Sequence, residues 1–232
     1  MKDKYALVTG AAKGIGRSCV LHLAKLGINV AINYRSSSKQ AASLSKEIEA
    51  LGVKSLAIQA DVSDLGEVQN MIKAILKDFP RIDILVNNAG IIDDTLLVRM
   101  KDDQWTNVIN TNLNGTFYCT RELIRGMMTN RWGRIINIGS IVGSRGNPGQ
   151  TNYSTSKAGI IGFANGTGCE IGDEIVLTQQ DLDDLSWSYG AYIPDDNCKD
   201  YLGADGHGFF KGGLLNPNRL QPPLQRRVPL HV

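Results

Sequence analysis

The amino-acid sequence predicts an α/β fold, a doubly wound parallel sheet with helices on both faces. Two observations support this class. Short apolar runs alternate strictly with longer segments of helical periodicity, and the first apolar run leads directly into a cluster of glycines. Because a helix crosses over between successive strands, this alternation gives a parallel sheet that is buried on both faces.

The strands and helices follow from the apolar periodicity and the residues that end it. Gly52 closes the second helix and Pro80 stops the third. The predicted strands are 5–9, 29–34, 55–59, 82–86 and 134–138. The predicted helices are 17–26, 39–51, 64–79 and 105–128, followed by a helix that contains Tyr153.

The pattern changes after Phe163, so residues 1–163 and 164–232 are predicted to differ in character. The second segment is rich in Gly, Asp and Pro and holds five of the seven prolines. Only Glu174–Leu177 suggests a strand, and Asn165, Gly166 and Gly168 are expected to break the preceding helix. We therefore expect the last strands of the sheet to be missing or altered, and the tail not to form an independent domain.

Length, charge and cysteine spacing limit the kinds of partner and site that the sequence predicts. A chain of 232 residues with a net charge of +2 and 21% charged residues is long enough for one α/β domain with an ordinary soluble surface. It gives no electrostatic reason to expect nucleic acid or membrane as a partner. No signal peptide is recognised, so a cytoplasmic location is expected. The four cysteines lack the spacing of a metal site or a disulfide framework.

The glycine cluster between the first strand and the first helix predicts nucleotide binding. Glycines at this point let the backbone approach a pyrophosphate, and the helix N-terminus presents free N–H groups to the anion. The strand-to-helix context is the one that such a motif requires. The candidate binding residues are Thr9, Gly10, Lys13, Gly14, Ile15 and Gly16.

The ends of the following strands indicate which nucleotide binds. Arg35 and Ser36 follow the second strand, where a basic residue suits a 2′-phosphate and an acidic one a ribose hydroxyl, so NADP is favoured over NAD. The alternative for Arg35 is a solvated loop cation. Further candidates at strand ends are Asp61, Val62, Asn88, Ala89 and Gly90.

A tyrosine and a lysine four residues apart predict the chemistry. Tyr153 and Lys157 share one face of a helix, and a nearby ammonium would favour the phenolate of a side chain that otherwise titrates near pH ~10. Ser140 could hydrogen-bond the substrate oxygen that receives a proton. Taken alone, such a pair is more often a solvated helix face, and Asn112, inside the predicted long helix, would be a surface residue.

In this order, the glycine loop, Asn87–Gly90, Asn112, Ser140, Tyr153 and Lys157 resemble the short-chain dehydrogenase/reductase family over residues 4–163. The segments 96–100, 133–140 and 156–163 look most like its 3-oxoacyl-[acyl-carrier-protein] reductases. The resemblance implies an NADP-binding Rossmann-type domain in residues 1–163 that acts in fatty acid synthesis.

By this resemblance, Tyr153 would donate a proton while NADPH reduces the 3-keto carbon, and Ser140 would hold the keto oxygen. Lys157 would lower the pKa of Tyr153 and bind the nicotinamide ribose, and Asn112 would support a proton-relay water. Arg131 would dock acyl carrier protein, or is a solvated arginine. The family is usually homotetrameric, which the altered tail puts in doubt.

The tail lacks the family's later elements, and a reading-frame change is one explanation. Read one nucleotide forward with permitted codons, residues 165–171, 185–190 and 218 onward can each give family-like segments. Sequencing the gene tests this hypothesis; a genuine but divergent tail is the alternative. The function is also left open between this reductase, another short-chain keto reductase acting on an acyl-CoA, steroid or sugar, and an inactive nucleotide-binding form.

Overall fold

The computed structural model describes residues 3–171 and 174–177, and for residues 169–171 and 174–177 it describes the backbone alone. The tail segments for which a shifted reading frame was considered, 185–190 and 218 onward, lie outside the described residues. The frameshift hypothesis therefore stays a prediction.

The described strands form one six-stranded parallel sheet in the order β3-β2-β1-β4-β5-β6. The direction of winding reverses between β1 and β4, and the carboxyl ends of these neighbours bound the crevice where ligands bind in open α/β sheets. The doubly wound parallel sheet is confirmed. The strands are β1 (Tyr5–Val8), β2 (Asn29–Tyr34), β3 (Ser55–Gln59), β4 (Ile84–Asn87), β5 (Arg134–Ile138) and β6 (Glu174–Leu177).

Helices cover both faces of the sheet, and apolar side chains fill the two interfaces. Val8, Ile32 and Val86 point to one face, while Leu7 and Leu85 point to the other. The helices are α1 (Gly14–Lys25), α2 (Ser38–Glu49), α3 (Leu65–Asp78), α4 (Asp102–Ile109), α5 (Gly115–Thr129), α6 (Val142–Arg145) and α7 (Thr151–Ile171).

The long helix predicted over 105–128 is two helices joined by a turn of π-helix, Asn110–Asn114. The N–H of Gly115 bonds to the carbonyl of Asn110 across this turn. Apolar periodicity predicts that a segment is helical but does not report the hydrogen-bond pattern within it, so this turn was not predicted. Asn112, one of the candidate site residues, lies at the centre of this turn.

The predicted break after Phe163 is wrong, because α7 continues to Ile171 through Asn165, Gly166 and Gly168. Each of these residues costs the helix only about 1 kcal/mol or less, which packing readily offsets. Ala164 and Thr167 are buried, and the Thr167 hydroxyl donates to the carbonyl of Phe163.

The suggested strand at Glu174–Leu177 is present as β6 and pairs in parallel with β5. Among the described residues, the sheet therefore has one strand after α7. The division of the chain at residue 163 stays a prediction, although α7 crosses that point without interruption.

Candidate active site

The glycine loop after β1 needs its glycines for different reasons. Gly10 and Gly14 have φ angles of 59° and 58°, in the left-handed region that side chains disfavour. A Cβ on Gly16 would lie 2.5 Å from Nδ2 of Asn88 and 2.9 Å from the Cα of Ala11. The loop is therefore pressed closely against the end of β4, and its backbone faces the crevice.

Buried side chains fix this loop to the neighbouring strands. The Thr9 hydroxyl accepts hydrogen bonds from the N–H groups of Asn88 and Ala89, both at 3.0 Å. Nδ2 of Asn88 donates to the carbonyls of Thr9 and Gly10 at 2.8 and 3.1 Å. Thr9 and Gly16, predicted to bind the nucleotide, thus lie behind the loop and support it.

Asn33 is a further residue of this framework that the sequence reasoning missed. Its side chain is buried, its Oδ1 accepts from the N–H of Gly10 at 3.1 Å, and its Nδ2 donates to the carbonyl of Ala60 at 3.0 Å. An asparagine that directly follows the apolar run Val30–Ile32 was the available signal, because a buried amide requires partners. It joins the carboxyl ends of β1, β2 and β3.

These elements enclose a cleft of about 370 Å³ along the carboxyl edge of the sheet. Lys13 lies at the start of α1, whose first turn carries no acidic residue, so the end of the cleft near this helix favours an anion. The structure brings eleven of the predicted binding residues to the cleft: Gly10, Lys13, Gly14, Ile15, Arg35, Ser36, Asp61, Val62, Asn88, Ala89 and Gly90.

Arg35 and Asp61 form a loose ion pair in the lining of this cleft. One guanidinium nitrogen of Arg35 lies 3.8 Å from Oδ2 of Asp61, and the arginine is 59% exposed. Oδ1 of Asp61 accepts from the N–H and hydroxyl of Ser63. A loosely paired, exposed guanidinium can turn toward a phosphate at little cost, which suits the predicted role of Arg35.

The catalytic candidates lie close together beyond the carboxyl end of β5. Tyr153 and Lys157 lie one turn apart on α7, and Ser140 follows β5. Ser140 and Tyr153 are joined by a side-chain hydrogen bond. Nζ of Lys157 lies 5.7 Å from the centre of the Tyr153 ring and donates to the carbonyl of Ile138 at 2.6 Å. The structure thus brings together the three residues that the sequence proposed.

Their electrostatics differ from the expectation that Lys157 lowers the pKa of Tyr153. Burial raises the pKa of Tyr153, a hydrogen bond with Ser140 lowers it, and the carboxylate of Asp94 raises it. Burial also lowers the pKa of Lys157 to about 8. Desolvation, which disfavours the charged form of each group, is the largest cause of both pKa shifts. The phenol is thus held in the protonated state that a proton donor needs.

Asn112 is buried rather than on the surface, and its side chain joins three elements. Its Oδ1 accepts from the N–H of Ile91 at 2.8 Å, and its Nδ2 donates to the carbonyl of Ile91 and the hydroxyl of Ser156, both at 3.0 Å. That hydroxyl in turn donates to the carbonyl of Tyr153. The π-helical turn thus positions the loop after β4 against α7, and a role for Asn112 in holding water stays a prediction.

Arg131 is not brought to this site. It is exposed, has a φ of 49°, and lies in the turn between α5 and β5. That turn precedes the amino end of β5, whereas Ser140 follows its carboxyl end. Docking by Arg131 therefore stays a prediction, and within one chain it would act at the opposite edge of the sheet.

The described part of the chain holds no group of three or more His, Cys, Asp or Glu side chains suited to a metal ion. Nor does any of its helices have the length and apolar character needed to cross a bilayer.

Comparisons with known proteins agree with this geometry. The short chain dehydrogenase family matches residues 4–179, sixteen residues beyond the point where the resemblance was expected to end. A 3-oxoacyl-[acyl-carrier-protein] reductase of Staphylococcus aureus is 51% identical over 168 residues, which cover 72% of this chain and 68% of the relative.

Reductases of the same name show similar matches. That of Synechocystis sp. is 51% identical over 160 residues, covering 69% of this chain and 65% of its own, and that of Pseudomonas aeruginosa is 44% identical over 176 residues, covering 76% and 71%. This chain thus spans about two thirds of the length of these relatives. The family match and these identities show that the chain belongs to the short-chain dehydrogenase family of oxidoreductases.

Proposed function

We propose that this protein reduces a 3-oxoacyl thioester, carried by acyl carrier protein, to the 3-hydroxyacyl form with NADPH in fatty acid synthesis. The observation that carries the proposal is the hydrogen-bonded pair Ser140 and Tyr153, with Lys157 one turn away, in the same site as the cleft to which we assign the dinucleotide. The names of the relatives supply the substrate class.

Tyr153, Ser140 and Lys157 each have a separate role in the proposed reduction. The cofactor supplies a hydride for the 3-keto carbon. The Tyr153 hydroxyl donates its proton to the keto oxygen, and the Ser140 hydroxyl hydrogen-bonds that oxygen. Lys157 binds the ribose of the cofactor and supplies positive charge as the phenolate forms, which compensates for the burial of that charge.

The cleft also supports the choice of NADPH. Arg35, Ser36 and Lys13 line the cleft and can accept a phosphate on the adenosine ribose. Asp61, which pairs with Arg35, would be released to accept a hydrogen bond from the adenine amino group. Docking of the acidic carrier protein by Arg131, a tetrameric assembly and a cytoplasmic location remain predictions of this proposal.

NADPH oxidation with acetoacetyl-carrier protein tests the proposal, run beside acetoacetyl-CoA and the Tyr153→Phe variant. We expect preference for the carrier protein and a loss of about 10³-fold in kcat in the variant, because a positioned general acid is removed. NADPH binding should persist in both proteins. Turnover that Tyr153→Phe does not reduce would refute this mechanism, and binding without turnover would favour an inactive nucleotide-binding form.

The cofactor preference is tested with Arg35→Ala, using NADPH and NADH in parallel. Loss of a charge-assisted contact should lower kcat/KM for NADPH by about tenfold to hundredfold and leave NADH nearly unaffected. Arg17→Ala is the matched control, because Arg17 pairs with Glu47 on the surface. An equal loss with both cofactors would contradict selection by Arg35.

A further inference from the structure

The loop after β4 is fastened to the beginning of α7 by three hydrogen bonds. The N–H of Thr95 donates to the carbonyl of Gly149 at 2.8 Å, and Nε2 of Gln150 donates to Oδ2 of Asp94 at 2.9 Å. Nδ2 of Asn152, which is fully buried, donates to the carbonyl of Asp93 at 2.9 Å. The two segments therefore form one rigid border of the catalytic site.

The carboxylate of Asp94 is fixed at this border. Gln150, which holds it, immediately precedes α7 and has its own Oε1 engaged by Asn147 at 3.0 Å. The first turn of α7 contains no acidic residue, so Asp94 supplies negative charge next to the positive end of this helix from another segment. Asp94 itself is exposed and borders solvent.

The Asp94 carboxylate is held near the reacting position by Gln150, which lies three residues before Tyr153 and so on the same side of this helix. The carbonyl of Gln150 accepts from the N–H of Ser154 at 2.7 Å, which fixes it to the first turn of α7. The Asp94 charge also raises the pKa of Tyr153, and Lys157 faces the same ring from one turn away.

Three helices packed on α7 carry further charged residues: Arg145 on α6, Asp102 and Asp103 on α4, and Arg121, Glu122 and Arg125 on α5. Of the charged groups in the described part of the chain, Asp94 is the one that shifts the pKa of Tyr153. A keto oxygen bound by Ser140 and Tyr153 would lie in the field of the Asp94 carboxylate.

We propose that Asp94 is a specificity-determining residue whose carboxylate, fixed by Gln150 at the start of α7, favours uncharged keto substrates over keto acids. The inference rests on the proposed function. A 3-oxoacyl thioester carries no charge next to the keto group, whereas the matching free acid carries a carboxylate that Asp94 repels.

The test compares two small substrates that share the keto group, acetoacetate and the neutral thioester S-acetoacetyl-N-acetylcysteamine. In Asp94→Asn, the preference for the thioester, as a ratio of kcat/KM values, should fall by about threefold to tenfold at low salt. In the wild type the preference should weaken as salt is added, because the Debye length falls to about 10 Å at 0.1 M. A ratio that Asp94→Asn leaves unchanged overturns the proposal.

Two controls separate charge from structure. Asp94→Glu keeps the charge and should keep the preference. Asp78→Asn removes an equal charge from the exposed end of α3 and should also leave it unchanged. If Asp78→Asn reproduces the effect of Asp94→Asn, the selectivity reflects net charge and the proposal fails.

The pH dependence gives a second readout. Removing the Asp94 charge should lower the pKa of Tyr153, so the alkaline fall in reduction rate moves to lower pH. If the wild type reduces neither of these substrates nor acetoacetyl-carrier protein, the proposed function fails, and the Asp94 field is then tested by ultraviolet titration of Tyr153. Subtracting the Tyr153→Phe background isolates the Tyr153 phenolate, and an unchanged titration in Asp94→Asn overturns the inference.

Discussion

The nucleotide end and the catalytic end of the site differ in how their side chains affect the stability of the fold. At the nucleotide end, neutral side chains such as Thr9, Asn33 and Asn88 bond to main-chain groups, so the residues that shape the cleft also stabilise the sheet. At the catalytic end, burial shifts the pKa values of Tyr153 and Lys157 against their charged forms. The contacts that shape the nucleotide end thus stabilise the fold, whereas the burial of ionisable groups at the catalytic end lowers the stability of the fold.

Gly16→Ala should give the largest effect at the nucleotide end. The added Cβ would meet the side chain of Asn88 at 2.5 Å and the backbone at 2.9 Å, and the backbone cannot move aside as a flexible side chain could. We expect a loss of about 3 kcal/mol in unfolding free energy and a loss of NADPH affinity of more than about hundredfold. Urea unfolding and NADPH fluorescence titration measure the two.

Gly162→Ala is the matched control on α7, because a Cβ there meets nothing within 4 Å. It should raise stability by up to about 1 kcal/mol through helix propensity and leave NADPH affinity unchanged. Equal effects of the two alanines would show that the close approach of the loop to β4 is not what binds the cofactor.

Asn33→Ala should have the next largest effect, and Asn29→Ala is its matched control. Both asparagines bond to main-chain groups from β2, Asn33 beside the cleft and Asn29 at the other end of the strand. Each loss should lower the unfolding free energy, by about 2 kcal/mol for buried Asn33 and less for Asn29. Asn33→Ala alone should weaken NADPH binding, by about tenfold. A similar loss of affinity in Asn29→Ala would contradict a local role for Asn33.

Local sequence patterns predict the nucleotide end well, because strand, turn and helix follow one another along the chain there. The predicted bounds of β2, β3 and β5 agree with the structure, and the glycine loop lies where the motif required. Asn33 was missed because its partners, Gly10 and Ala60, are distant in sequence. Neighbouring residues alone do not indicate which backbone groups a buried amide will reach.

The sequence predicted which residues form the catalytic end, but not the backbone structure and the burial around them. The π-helical turn depends on contacts of Asn112 with Ile91 and Ser156, which only the tertiary structure supplies. The continuation of α7 likewise depends on packing that overrides weak helix propensity. The pKa of Tyr153 was expected to fall because a lysine lies one turn away, but the spacing does not report the burial that raises it.

The last expected change in stability is the most informative, and it concerns Lys157. Its pKa of about 8 lies below the ordinary value of 10.5, so between these pH values the unfolded chain binds more protons than the folded one. Wild-type stability should therefore rise from about pH 8 to about pH 10.5 relative to Lys157→Met, in which no ammonium is buried. The difference in urea unfolding free energy between the two proteins, followed with pH, measures this.

Urea unfolding of the wild type and Lys157→Met at pH 7, with NADPH turnover measured on the same samples, tests the central claim most directly. The shift in pKa corresponds to about 3 kcal/mol of destabilisation, and the unpaired carbonyl of Ile138 in the variant would cost about 1–2 kcal/mol. We therefore predict that Lys157→Met is more stable by about 1–2 kcal/mol and has lost its activity. A variant that is inactive and also less stable than the wild type would contradict the account.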